Sequence, residues 1–360
     1  MPGVCEGKPE SMQEVVVRAD WMNDDLQAGW CGECERSLLS LRALCDRVKW
    51  MYEIVEGQGM ERVAFVILHY GDQKVTDRCV QSILDLQQSE KVCIVIVDNE
   101  IRKTPKERER IKSKYRGILE VRVLFVQRDG GFSYANNVGY QYARDQLKAD
   151  WIVVANNDVI FPQRDFLYRL ESSFSELPSH ILGPDILRPR QVREGVFYEH
   201  QNPLDTRLRT MKESEITIRS NRIALRHYSV MYPFLFLWEM LEEKRALFQK
   251  RKRDKYYHER HTGIVPFGAC LVYTPLFTEH EKRAFEPETH FYYEEYLLKL
   301  RCDANGYIVS YDPSLKVVHE TGLSTKQTYR RKKEKLRFVM EETLKSCKIY
   351  QKALKYNLMK

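Results

Sequence analysis

Between residues 60 and 160 the chain alternates short continuous apolar runs with stretches of helical periodicity. Runs at 63–70, 92–98, 121–126 and 151–155 have strand length and no polar alternation, which marks strands buried on both faces. Between them lie a helical pattern on Val75, Cys79, Ile83 and Leu86, a charged helix candidate at 104–116, and a stretch running through Asn137 to Leu147. Buried strands alternating with helices predict an α/β fold, a mostly parallel Rossmann-like sheet with helices on both faces. In such sheets ligands are met at the carboxyl ends of the strands. The sequence places His69, Tyr70 and Gly71 at the first end, Asp98 and Asn99 at the second, Arg128 to Gly131 at the third, and Asn156, Asn157 and Asp158 at the fourth. Amides, carboxylates and glycines converging there predict a site for a polar, phosphorylated ligand. No G-x-G-x-x-G and no G-x-x-x-x-G-K-[ST] occurs, so neither a classical dinucleotide fold nor a P-loop is expected.

Three further positions carry candidate chemistry. Asp158, just past an apolar strand and flanked by amides, suits a hard divalent cation that bridges a diphosphate; the alternative is a turn residue capping a helix that starts near Pro162. Glu294 and Glu295 precede or open an apolar-periodic helix, where a carboxylate is favoured by the helix dipole alone. A carboxylate paired with another and walled by Phe291, Tyr292 and Tyr293 also has the surroundings that raise its pKa towards that of a general base. His319 ends a strand-like run and by itself reads as a structural histidine.

The pieces 66–70, 95–99, 129–139, 155–159, Gly268-Ala-Cys-Leu, Tyr293-Glu-Glu through Arg301 to Gly306-Tyr307, and Val318-His319 with Gly322 and Ser324 occur in a recognisable order. Together, over about residues 62–325, they resemble the inverting family 2 glycosyltransferases of the GT-A fold, and within them the rhamnosyltransferase-like branch of bacterial surface polysaccharide biosynthesis. The resemblance implies a nucleoside-diphosphate sugar as donor, a glycan or lipid-linked acceptor, and a divalent cation, Mg2+ or Mn2+. It implies that His69, Tyr70 and Asp98 hold the nucleotide, and that Asp129, Asn136, Asn137 and Asn156 shape the donor pocket. Asp158 would be the last residue of the metal-binding triplet, joined by His319, and Glu295 the base, with Glu294 as its neighbour. The triplet here is Asn-Asn-Asp, with one carboxylate. A scaffold or glycan-binding protein on a degenerate transferase fold is the alternative function.

Charge divides the chain. Of 360 residues with a net charge of +7, residues 326–360 hold 12 Lys/Arg against 3 Asp/Glu and residues 1–59 hold 6 against 11, leaving 60–325 nearly balanced. The expected organisation is an acidic extension at 1–59, a transferase domain at 60–325 with a donor half (60–185), a helical insertion (190–262) and an acceptor half (263–325), and a basic helical tail at 326–360. Nine cysteines, mostly single within apolar runs, suit a reducing cytoplasm. The pair Cys31 and Cys34 lacks a second ligand pair. No signal peptide or membrane-spanning run is visible. The apolar stretch from Tyr232, the basic run 250–253 and the tail, with Leu336, Val339, Met340, Leu344 and Cys347 at helical spacing, predict peripheral contact with an anionic membrane at the inner face of the cell. The insertion also reads as a core-covering helical hairpin. With no nucleic-acid motif, nucleic acid is not an expected partner.

Overall fold

A computed structural model describes residues 60, 62–118, 120–192, 195–252, 254–320 and 332–357, all within the unit Met60–Lys360. The acidic extension, Cys31 and Cys34, Gly322, Ser324, Arg330 and Arg331 lie outside the described residues, as do the side chains of 250–253.

The first half follows the alternation read from the sequence: β1 (Val63–His69), α1 (Gln73–Leu84), β2 (Val92–Asp98), α2 (Pro105–Tyr115), β3 (Val121–Phe125), α3 (Gly131–Asp145) and β4 (Trp151–Asn156). A capping box between Thr104 and Glu107, with proline at the first helical position, starts α2 within the expected charged stretch. After β5 (Val159–Ile160) and α4 (Phe166–Glu176) come β6 (Ile181–Val192), β7 (Gly195–His200), α5 (Met211–Arg226), α6 (Tyr228–Lys252) and β8 (His261–Thr262). The chain continues through β9 (Cys270–Tyr273), α7 (Pro275–Thr278), α8 (Glu294–Asn305), β10 (Val309–His319) and α9 (Lys332–Asn357).

The ten strands among the described residues join one sheet, with the order β3-β2-β1-β4-β9-β6-β10-β5 and with β7 beside β6 and β8 beside β10. The strands β3, β2, β1 and β4 pair in parallel, as do β6 and β10; β9 runs antiparallel between β4 and β6. The fold is thus the mixed, mostly parallel α/β architecture expected, with a reversed strand at its middle.

Every residue of β1 is buried, and successive side chains serve opposite faces. Ala64, Val66 and Leu68 share a core with Ala135, Tyr140 and Ala143 of α3. On the other face the Phe65 ring meets Phe161 edge-on at 5.2 Å, and Phe161 meets Phe166 of α4 at 5.2 Å. Each such aliphatic or aromatic side chain removed from water contributes about 1.5–3 kcal/mol. The unbroken apolar runs therefore drive the central strands inward without any help from alternation.

The C-terminal helix corrects one expectation. Cys347, Tyr350 and Leu354 of α9 are buried against Tyr293, Leu297 and Leu300, and Met340 against Ala224 and Tyr228. The apolar stripe of the tail is thus taken up by α5, α6 and α8 and is not presented to a membrane. Helical spacing alone cannot distinguish a bilayer from a protein neighbour.

Helix α3 lies so close to the sheet that a Cβ on Gly139 would collide with Val66 and Val97. Gly139→Val is expected to overpack this contact and lower stability by about 1–3 kcal/mol, read by urea denaturation.

Candidate active site

The strand ends form a polar surface whose groups fall into two sets, those already partnered within the protein and those left open. Asp98 belongs to the first. Its side chain is fully buried, and both carboxylate oxygens accept from Lys103 Nζ, at 3.1 and 2.9 Å, while Oδ1 also accepts from the Glu100 N–H at 3.0 Å. Lys103 Nζ also donates to His69 Nε2 at 3.0 Å, which leaves Nδ1–H to donate to Thr76 Oγ1 at 2.6 Å. Burial, and then the charge of Lys103, holds the His69 pKa down to about 4, so the imidazole is neutral. His69 and Asp98, expected to hold a nucleotide, are linked through Lys103 in one buried cluster at the strand ends. What faces out there is Tyr70, whose backbone carbonyl accepts from Asn157 Nδ2 at 3.1 Å. Lys103 escaped the sequence reading, although a lysine five residues beyond an acidic strand end is a visible signal for such a lock.

Asn137 is also occupied within the protein. Its amide donates to the Phe285 carbonyl at 2.8 Å and accepts the Phe285 N–H at 2.9 Å, so it ties α3 to the segment before α8. Asn136, one residue earlier, is 1% exposed, and neither its amide oxygen nor its nitrogen has a partner. Asn99 Oδ1 at the end of β2 is buried and equally unpaired. A buried amide without a partner costs roughly 1–3 kcal/mol, so these groups mark where a polar ligand or water belongs.

Asp158 falls between β4 and β5, and the residue capping α4 is Asp165, so the helix-cap reading of Asp158 falls away. Its Oδ1 lies 3.1 Å from His319 Nε2, and its backbone carbonyl accepts from the Glu320 N–H at 2.9 Å. His319 Nδ1 lies 2.8 Å from Gln201 Oε1. The two residues assigned to a cation therefore do meet. Among the described residues no group of three or more His, Cys, Asp or Glu side chains is poised to hold a metal. One carboxylate and one imidazole fit a hard cation that takes the rest of its shell from diphosphate oxygens and water.

Glu294 and Glu295 are the first two residues of α8, entered through two consecutive left-handed residues, Tyr292 (φ 67°) and Tyr293 (φ 66°). Such a conformation costs non-glycine residues energy and persists only where packing imposes it. Here the Tyr293 ring lies 5.3 Å from Tyr350 of α9, and Arg209 sits over Tyr293 and Tyr296 at 5.5 and 5.2 Å. Glu294 is buried with Oε2 unpaired. Burial first, then the neighbouring Glu295, pushes its pKa well above the carboxylate range. Glu295 accepts the Gly268 N–H at 3.2 Å; burial raises its pKa too, opposed by backbone hydrogen bonds. Both carboxyls are thus shifted towards the neutral form, and only Glu295 has the Gly268 N–H to favour its charged form.

The segment Phe267-Gly268-Ala269 joins these groups. Gly268 holds Glu295, the Ala269 carbonyl accepts the Asn156 N–H at 3.0 Å, and the Phe267 ring lies 6.4 Å from His319. Asp129, at the end of β3, reaches His290 Nε2 at 2.9 Å, and His290 Nδ1 reaches Glu342 of α9 at 3.1 Å. His290 and Glu342 were also missed. Glu342 is buried in α9 together with Ser346, and nothing in the sequence pattern marks either as buried. On the insertion side of α8 a cleft of about 720 Å³ is lined by Arg207, Arg209, Thr217, Tyr256, His261 and Tyr296, among others.

Removing the lysine from the Asp98 cluster leaves a buried carboxylate unpaired. Lys103→Met is expected to cost about 3–5 kcal/mol of stability by chemical denaturation. Glu294 has a folded-state pKa above its unfolded one, so its stabilising contribution is complete at low pH and fades as pH rises. Glutamine cannot ionise. The stability advantage of Glu294→Gln over the wild type should therefore be larger at about pH 8 than at about pH 5 in thermal unfolding.

No curated protein matches the chain in sequence. Among solved structures it is similar to residues 1–349 of S. aureus TarS in complex with UDP, at 13% identity and a TM-score of 0.43, over 72% of this chain and 61% of that one. It is also similar to GalNAc-T7 with UDP, GalNAc and Mn2+, at 14% identity and a TM-score of 0.45, over 73% of this chain and 43% of that one. This chain thus spans less than two thirds of either structure. The family described as glycosyl transferase family 2 matches residues 64–232, from the second residue of β1 into the start of α6. That stretch carries Tyr70, Asn99, Asp129, Asn136 and Asp158, while Glu294, Glu295 and His319 lie beyond it.

Proposed function

We propose that the protein is an inverting glycosyltransferase. It moves a hexosyl or rhamnosyl group from a nucleoside-diphosphate sugar to a hydroxyl of a glycan or lipid-linked acceptor, in cell-surface polysaccharide biosynthesis at the inner face of the cell membrane. The observation that carries this reading is the segment Phe267-Gly268-Ala269, which holds Glu295 on one side and borders Asn156 and the Asp158–His319 pair on the other. A proton acceptor and a cation-binding pair thus flank one short stretch of backbone.

Glu295, as carboxylate, takes the proton of the acceptor hydroxyl. The oxygen forms its bond to the anomeric carbon as the bond from that carbon to the diphosphate breaks, and the electron pair leaves on the phosphate oxygen. Attack from the face opposite the leaving group inverts the anomeric configuration. Glu294, buried beside the base with its pKa raised, is biased towards its neutral form and so limits negative charge next to Glu295. The unpaired amide of Asn136 and the unpaired Oδ1 of Asn99 are offered to the donor, and Tyr70 is exposed at the end of β1. A divalent cation held by Asp158 and His319, Mg2+ or Mn2+, would neutralise charge on the departing diphosphate. The cleft beside Tyr296, lined by aromatic rings, hydroxyls and arginines, suits a glycan acceptor.

The test is a screen of nucleotide-sugar donors for release of nucleoside diphosphate, run with Mg2+, with Mn2+ and with a chelator. One donor class is expected to turn over with metal and to stop with chelator. Glu295→Gln is expected to lower kcat about 10²–10⁴-fold. Glu294→Gln, isosteric with the neutral acid, should retain most of the activity. Because the Glu295 pKa is raised, the wild-type rate should rise with pH through a limb above the usual carboxylate range. Full turnover by Glu295→Gln would remove the base assignment, and no release from any donor would favour a scaffold.

A further inference from the structure

Helix α6 presents an apolar face that nothing among the described residues covers. Val230, Phe234, Leu237, Trp238 and Leu241 are 73, 69, 52, 64 and 54% exposed. Their spacing of four, three, one and three residues puts them in one stripe along the helix. The opposite side of α6 is the one that packs: Tyr228, Tyr232 and Leu235 join Ala224, Leu336 and Met340 in a small core. Five adjacent large apolar side chains, all more than half exposed, exceed the scattered exposure normal for a soluble surface.

Charge identifies what covers them. The first turn of α9 exposes Lys332, Lys333 and Lys335 beside α6. Lys332 Nζ lies 5.1 Å from the Phe236 ring, Lys333 Nζ 5.6 Å from Tyr232, and the Arg337 guanidinium 5.9 Å from Tyr228. Among the described residues no carboxylate pairs with Lys332 or Lys333. Glu242, just past the stripe, is paired with Arg245 at 3.6 Å. A row of cations thus flanks a stripe containing a tryptophan and a phenylalanine. No helix among the described residues is long and apolar enough to cross a membrane, so this face can lie on a bilayer but not span it. Self-association through the stripe would draw two lysine rows towards one seam, which like charges oppose.

We propose that the outer face of α6, flanked by the start of α9, is a docking surface for the anionic leaflet of a lipid bilayer. Phe234 and Trp238 enter the boundary between headgroups and acyl chains, while Lys332 and Lys333 extend their stems along the rings below and set their ammonium groups at the lipid phosphates. The contact is reversible, because no covalent anchor or spanning helix takes part. It is independent of the transfer reaction and would hold for a protein without transferase activity.

The test is flotation of the full-length protein with vesicles of phosphatidylcholine containing about one third phosphatidylglycerol, against vesicles of phosphatidylcholine alone. The protein should float with the anionic vesicles at low salt and be released by high salt. Phe234→Glu combined with Trp238→Glu should lower the partition coefficient at least about ten-fold. Lys332→Gln combined with Lys333→Gln should lower it by about five-fold per lysine. Each variant is accepted only if its circular dichroism and elution volume match those of the wild type. A measurement on the wild type stands apart from the variants: vesicles with brominated acyl chains should quench a fluorescence component that Trp238→Phe lacks. Wild-type protein that stays in the aqueous fraction, as it would if a second copy or another segment of the chain covers the stripe, overturns the proposal. So do folded variants that float like the wild type, or quenching that survives Trp238→Phe.

Discussion

The site depends on how the segment 285–295 is clamped between α3 and α9. On one side Phe285 is held through both backbone groups by Asn137, Thr289 meets Ser133 at 3.0 Å, and the His290 carbonyl accepts the Phe132 N–H at 2.8 Å. Gly131 (φ 72°) makes this approach possible, since a Cβ there would run into the His290 backbone. On the other side the His290 ring lies against Glu342, and Ser346 Oγ donates to the Phe291 carbonyl at 2.6 Å. Only a segment fixed from both sides can sustain two left-handed tyrosines in succession. Those two residues deliver Glu294 and Glu295 to the sheet edge with a helix beginning beneath them.

The same edge separates structural charge from chemical charge by burial and pairing. Asp98 is paired with Lys103, and the neutral His69 is hydrogen-bonded to Lys103 and Thr76, so both brace the ends of β1 and β2. Burial and the neighbouring Glu295 raise the Glu294 pKa, whereas at Glu295 the rise due to burial is opposed by the Gly268 amide. The buried, unpaired amide of Asn136 and the buried, unpaired Oδ1 of Asn99 remain for a ligand. Polar residues at strand ends thus meet three different fates, and a partner, or its absence, decides which.

The C-terminal helix serves two ends. Its buried stripe seats α8 and α5, and through Glu342 and Ser346 it reaches the clamp. Its first turn carries the lysines that flank α6. A disturbance of α9 is therefore expected to be felt at Glu295 as well as at the outer face of α6. The exposed stripe of α6 is turned away from the small core that this helix shares with α5 and α9.

The sequence by itself determined the sheet. Continuous apolar runs such as 63–69 have no stable place except between two covered faces, and their ends put the polar residues on one edge. It also carried Asp158 with His319, and Glu294 with Glu295, because motif order survives without coordinates. Tertiary structure decided which candidates are available. Whether Asp98 faces a ligand depends on Lys103, whether Asn137 or Asn136 is open depends on where Phe285 falls, and whether the tail meets lipid or protein depends on α5, α6 and α8. Each of these is a contact between residues distant in the chain or turned by the local backbone. Periodicity reports only that a face is apolar or a group polar, and the partner that neutralises or buries it is supplied by the fold.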